Sequence, residues 1–189
     1  MFRSMRRRLL ATAHGDVIEV GAGTGLNLTL YPRSRVRAIW VVEPDAAMRA
    51  RAQGRAMAAA INIHLVEASG EDLPFADESF DTAVLTLVLC SVEDPGALLR
   101  ELDRVLRPGG VLLLVEHVRS HRPLWRRAQA LATPTWRRLA AGCRLDQDPE
   151  PAIVALFDVT ERRYRDGVLP LLTLRARRRA REVGVRSVP

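Results

Sequence analysis

The chain has 189 residues, 48% of them hydrophobic, which is enough apolar material for one globular domain, and it shows no internal repeat or low-complexity linker. Its formal charge of +7 invites a nucleic-acid reading, but all 29 basic residues are arginine and none is lysine. That is the mark of a GC-rich coding bias, so composition alone names no partner. No apolar run approaches the roughly 18 residues of a membrane span, and Cys90 and Cys143, without CxxC or Cys/His spacing, suggest neither a zinc site nor a disulfide framework.

The chain opens on Arg3-Ser4-Met5-Arg6-Arg7-Arg8 and closes near a second basic run, Arg175 to Arg181. Both suit phosphates of nucleic acid or anionic lipid, but neither is interleaved with the aromatics that stack on bases, so a solvated basic face is expected rather than a nucleic-acid partner. Phe2, Met5, Leu9 and Leu10 beside the arginines keep a weak peripheral membrane contact open. Leu9 to Ala13 is too brief for a secretory h-region, and the expected location is cytoplasmic.

Asp16-Val17-Ile18-Glu19-Val20 reads as a buried strand that runs into a loop with Gly21, Gly23 and Gly25. Glycine is needed where the backbone takes positive φ or approaches a ligand closely, so the loop has the form of a nucleotide-sized site. A dinucleotide fingerprint wants its third glycine one place later, where Leu26 stands, which argues against NAD. The acid Glu19 ahead of the glycines suits a cofactor with a cationic amino group better than a pyrophosphate. S-adenosylmethionine combines an adenosine with such a group. Residues 37–42 form a second apolar strand that ends in Glu43-Pro44-Asp45, and Glu43 lies 18 residues after Gly25, where a carboxylate would grip ribose hydroxyls. Asp45 also suits the N-cap of a helix over Ala46 to Ala60.

Ile61 to Val66, Thr82 to Leu89 and Val111 to Val115 are three further strands, each nearly all apolar, as strands covered on both faces must be. Between the last two, Leu98, Leu102, Val105 and Leu106 share one face of a helix over residues 94–106 that stops at Pro108-Gly109-Gly110. Trp125 to Arg144, with Leu124, Trp125, Leu131, Trp136 and Leu139, reads as a helical, apolar insert. A helix over Pro151 to Phe157 and strands over Asp158 to Arg165 and Leu169 to Arg177 complete the chain. The expected fold is α/β, doubly wound and Rossmann-like, with a mostly parallel seven-stranded sheet and an antiparallel C-terminal edge hairpin. It forms one domain: a core over 15–118, an insert over about 121–145 and the C-terminal helix and hairpin over about 149–177. Ligands then collect where the strands end, at Gly21, Glu43, Ser69, Thr86 and Glu116.

The blocks Val17 to Gly25, Glu71-Asp72-Leu73-Pro74-Phe75, Ser79-Phe80-Asp81 and Arg104 to Gly110 resemble the class I S-adenosylmethionine-dependent methyltransferases, the type 11 group in particular. A narrower likeness, in Cys90-Ser91-Val92, Glu116-His117-Val118 and Trp136 through Cys143, is to the methyltransferase-like thiol S-methyltransferases. The resemblance implies that Glu19, Gly21, Gly23 and Gly25 face the methionine part of the cofactor, and that Glu43, assisted by Asp45, holds the ribose. It also places an acid for the adenine where Ser69 stands, so that contact falls to Ser69, to Glu71 or to a backbone amide. Thr86 completes the cofactor set. Inserts like residues 121–145 cover the acceptor in this superfamily, and an apolar cover suits a lipophilic acceptor.

A methyl sulfonium is already activated, so the protein must chiefly hold nucleophile and donor in line, and no metal is required. For a thiol acceptor, a base that raises the thiolate fraction helps. His117 is the candidate base, with Glu116 to orient it; Cys90 is read as substrate wall or small buried hydrophobe. The expected activity is methyl transfer to a small lipophilic acceptor, a thiol among them. A quinone-like or phospholipid head-group acceptor, a non-catalytic cofactor-binding protein and an NAD-dependent oxidoreductase are the alternatives. Only residues 1–15 precede the first strand, which implies weaker cofactor retention than in a lidded enzyme, an expectation that a submicromolar dissociation constant contradicts. A homo-oligomer is left open.

Overall fold

The computed structural model describes residues 2–140, 142–167 and 169–180; Arg181, the last residue of the C-terminal basic run, lies outside them. The elements, in chain order, are α1 (Phe2–Leu10), β1 (Gly15–Val20), β2 (Val36–Val42), α2 (Ala46–Ala58), β3 (Asn62–Val66) and β4 (Phe80–Thr86). They continue with α3 (Pro95–Val105), β5 (Leu106–His117), α4 (Pro123–Leu139), α5 (Glu150–Leu156), β6 (Phe157–Arg165) and β7 (Leu171–Arg178). The seven strands form one sheet in the order β3-β2-β1-β4-β5-β7-β6. The first five are mutually parallel, and β7 runs antiparallel to both β5 and β6. The doubly wound sheet with an antiparallel edge is therefore as expected.

The central strands are apolar on both faces because helices cover both. On one side Leu98, Leu99, Leu102 and Val105 of α3 are fully buried with Ile153 and Phe157 against Ile18, Ala83, Leu112 and Leu114. Each such side chain contributes roughly 1.5–3 kcal/mol of burial. On the other side Leu9 and Leu10 of α1 and Ala52 of α2 meet Val17, Ile39, Val84 and Leu113. α3 starts where Asp94 accepts from the Ala97 amide at 2.9 Å, with Pro95 at its first turn. α2 starts likewise at Asp45, which accepts from Met48 at 2.8 Å.

Two element boundaries differ from the sequence expectation in ways that bear on the site. β4 ends at Thr86 rather than Leu89, because Leu87 turns into the left-handed region at φ 59° and breaks the strand. β5 extends beyond residues 111–115 in both directions, its early residues pairing with Phe80 and its last with Leu171. α4 corrects a third expectation. Leu124, Leu131 and Leu139 are 77%, 83% and 80% exposed, so they cover nothing among the described residues. The helical period puts them on a different face from Gln129, Thr133 and Trp136, which look inward. The helix is held by polar bonds: Gln129 Oε1 accepts from the Ser120 amide at 2.8 Å, and Gln129 Nε2 donates to the Val118 carbonyl at 3.3 Å. No helix among the described residues is long and apolar enough to cross a membrane.

Candidate functional site

β1 and β4 are neighbours whose chain connections leave in opposite directions, β1 to β2 and β4 to β5, so a crevice opens beyond their C-terminal ends. The glycine loop lines it. Gly21, Gly23 and Gly25 all have positive φ, at 66°, 54° and 76°. At Gly21 a Cβ would stand 2.6 Å from Val88 Cγ2, and at Gly25 2.9 Å from Leu28 Cδ1, whereas at Gly23 it would meet nothing within 4 Å. The first and third glycines allow the loop to fold against the body, and the middle one faces open space.

The loop is tied to the end of β2. Gly23 N–H donates to Glu43 Oε2 at 2.8 Å, and Asp45 N–H donates to Glu43 Oε1 at 3.1 Å. Glu43 is only 7% exposed, and each of its oxygens, which accept two hydrogen bonds when ionised, keeps acceptor capacity for a hydroxyl. Asp45, expected to assist, spends one carboxylate oxygen on capping α2.

Glu19 lies deeper than the sequence suggests, at 2% exposure. Its Oε1 accepts from Asn27 Nδ2 at 2.9 Å and its Oε2 from Tyr31 OH at 2.5 Å, while Asn27 also donates to Thr86 Oγ1 at 3.0 Å. Burial raises the Glu19 carboxyl above its usual range, against the pull of Tyr31, Asn27 and the nearby Arg6. Glu19 and Thr86 thus belong to a buried network beneath the loop, and Asn27 Oδ1 in that network is buried without a hydrogen-bond partner among the described residues. Asn27 and Tyr31 escaped the sequence reading. Their spacing of 8 and 12 residues from Glu19 carries no regular period, because the segment between Ala22 and Leu30 is a succession of turns.

Ser69 and Glu71 come together as expected of neighbours: Ser69 Oγ bonds Glu71 Oε2 at 3.1 Å and accepts from the Glu71 amide at 3.2 Å. Glu71 Oε1 then accepts from the Asp94 amide at 2.7 Å, so the pair joins the loop after β3 to the start of α3.

Glu116 does not orient His117. Successive residues on a strand point to opposite faces, and Glu116, fully buried, instead accepts through Oε1 from the amides of Val88 and Leu89 at 2.8 and 3.1 Å. It pins the loop that leaves β4 after the strained Leu87. Burial pushes its carboxyl up to about 7, although the backbone amides of Val88, Leu89 and Cys90 favour the ion. His117 ends β5 with Nδ1 buried and unpartnered; burial lowers its imidazole below the ordinary value, partly offset by the Pro170 backbone. Cys90 and Cys143, far apart in sequence, share one buried cluster with Leu145, packed against Trp136. The Arg144 amide bonds the Cys90 carbonyl at 2.8 Å. The Cys143 side chain as acceptor and burial raise the Cys90 thiol, which stays protonated and serves as packing.

This arrangement agrees with comparisons to known proteins. A family model described as a methyltransferase domain matches residues 18–114. Human thiol S-methyltransferase TMT1B is 40% identical over 149 residues, covering 74% of this chain and 59% of that protein. Phosphatidylethanolamine N-methyltransferase of Cereibacter sphaeroides is 34% identical over 161 residues, 80% of this chain and 78% of the relative. The chain therefore spans less than two thirds of the length of the human relative. In fold it superposes on a putative methyltransferase of Bacillus halodurans with a TM-score of 0.78 at 14% identity, covering 94% of this chain and 99% of the other.

Proposed function

Because the chain belongs to the family of methyltransferase domains, we propose that it moves a methyl group from S-adenosylmethionine to a small acceptor, and that the acceptor is a thiol. The observation that carries the cofactor is the middle glycine of a positive-φ loop, open to space and bonded to a buried carboxylate one βαβ step away. Gly21, Gly23 and Gly25 let the backbone approach the amino-acid part, Glu43 accepts from the ribose hydroxyls, and the Glu19 network holds the loop's shape. Ser69 and Glu71 stand beside the adenine. When bound, the cofactor supplies an activated methyl sulfonium. The chain's task is then to bring a nucleophile into line and to keep water out.

The thiol reading rests on the similarity to the human thiol S-methyltransferase together with the place of His117 at the end of β5. His117 takes the acceptor's S–H proton, leaving a thiolate to attack. Glu116 acts one step removed, as the residue that positions the loop after β4. An amine head group is the second reading, favoured by the length of chain shared with the C. sphaeroides enzyme.

Titration calorimetry with S-adenosylhomocysteine, NAD being the comparison ligand, decides the cofactor: selective binding of the former is expected. Transfer to a lipophilic thiol and to phosphatidylethanolamine then decides the acceptor, and His117→Ala is expected to lose roughly 10²-fold in kcat/KM for the thiol. Equal rates for the variant and the wild type would remove His117 from the chemistry.

A further inference from the structure

The side of the β6–β7 hairpin that faces α1 carries a cluster with no place in the site above. Alternate residues of a strand share a face. Arg163 lies opposite Thr173, Arg165 opposite Leu171 and Glu161 opposite Arg175. α1 closes the other side with Met5, Arg8 and Leu9. Together they line a cavity of about 450 Å³, the size of small-molecule sites.

Its charge is lopsided: four arginines, Arg8, Arg163, Arg165 and Arg175, against the single acid Glu161. Elsewhere the arginines are drawn to carboxylates, Arg37 to Asp16 and Asp81, Arg104 to Glu101 and Asp77, Arg178 to Glu78 and Asp103. None of the four guanidinium groups enters an ion pair or a hydrogen bond among the described residues. Arg175 Nε is buried with no hydrogen-bond partner among the described residues, and a buried donor on a cation is costly to leave unmet. The guanidinium fork matches the paired oxygens of a carboxylate or phosphate. Met5 and Leu9, one helical turn apart, offer an apolar wall.

The groove also lies close to His117 along the sheet. His117 pairs with Leu171, and the next pair on the same face is Val115 with Thr173, which lines the cavity. From this we propose that the groove binds an organic anion, a phosphate or carboxylate on an apolar stem, and that this anion is the anchoring end of the methyl acceptor. The second half rests on the methyl-transfer reading; the first does not.

The test separates the two. Hexyl phosphate, hexanoate and hexanol are titrated into the wild-type chain and into Arg163→Gln with Arg175→Gln, with S-adenosylhomocysteine as the check that the rest of the fold is intact. The anions should bind at least tenfold more tightly than the alcohol, lose that advantage in the variant and weaken with salt. The order of phosphate and hexanoate tells which head group the groove prefers. No advantage over hexanol, or an advantage that survives the substitutions, overturns the site. Arg163 and Arg165 are exposed, so Arg163→Gln with Arg165→Gln gives the same answer if Arg175→Gln impairs folding. Thiols that carry the same three ends then test the anchor. Methyl transfer that favours the anionic thiols supports it, and transfer to the neutral thiol alone overturns the anchoring role.

Discussion

Glu116 shows how much a residue's chemistry depends on what folds around it. Read along the chain it is an acid beside a histidine; in the fold it is a buried carboxyl, raised to about 7 by burial, that grips the loop after β4. Below its ordinary value near 4.5 the acid is neutral in both the folded and unfolded chain. As pH rises from 4.5 through 7 the unfolded chain releases the proton first, so wild-type stability falls across that window and levels off above it. In Glu116→Gln the amide oxygen can still accept from Val88 and Leu89, and the variant lacks this slope. Urea denaturation should show the variant gaining on wild type between pH 4.5 and pH 8 by on the order of 2–3 kcal/mol. A pH-independent difference would mean that Glu116 is not raised. The distance of Glu43 from the glycines pointed to a carboxylate beside the loop, and Glu43 does bond the Gly23 amide. It could not identify Asn27 and Tyr31, because their partnership with Glu19 is made by a turn-rich segment whose path no periodicity records.

At the scale of elements, the glycine loop divides into positions packed against the body of the fold and one, Gly23, that faces open space and that the proposed function gives to the cofactor. Gly21→Ala places a methyl 2.6 Å from Val88 as well as straining a φ of 66°, so it should destabilise the chain by several kcal/mol. Gly23→Ala meets only open space and carries the backbone strain alone, roughly 1–2 kcal/mol. Its methyl would, however, stand where the proposed function brings the cofactor. Thermal unfolding and S-adenosylhomocysteine titration of both variants should therefore give opposite rankings, Gly21→Ala the less stable and Gly23→Ala the one whose lost affinity no loss of folding explains. Equal loss of stability in both would contradict the division. Strand and helix identities were legible because apolar runs and helical faces repeat over a few residues. The end of β4 was not: Leu87 to Leu89 are as apolar as the strand before them, and only the left-handed turn at Leu87 separates them.

At the scale of the molecule, the crevice is assembled from the ends of β1, β2 and β4 and the loop after β3, so a ligand there should tie separate parts of the chain together. S-adenosylhomocysteine at a hundredfold excess over its dissociation constant adds about 2.7 kcal/mol to stability, which for a chain of this size is a rise of roughly 5–10 °C in Tm. Differential scanning fluorimetry should show that rise with S-adenosylhomocysteine and not with NAD; a rise with NAD alone would reverse the cofactor assignment.

What the sequence by itself determined is the order of strands and helices from β1 onward, the glycine loop, and the place of Glu43 at the end of β2. These are properties of short stretches or of a single βαβ step, where composition, period and spacing act directly on the backbone. Only the tertiary structure decided that Glu116 holds the loop after β4 instead of His117, that Cys90 and Cys143 share a cluster, that the leucines of α4 look outward, and that four arginines converge beside α1. Apart from the outward leucines, each depends on segments that lie far apart in the chain. They meet only because the sheet's crossovers and the antiparallel return of β7 bring them together, and in every case burial or helical phase, invisible in a linear pattern, sets what the side chain does.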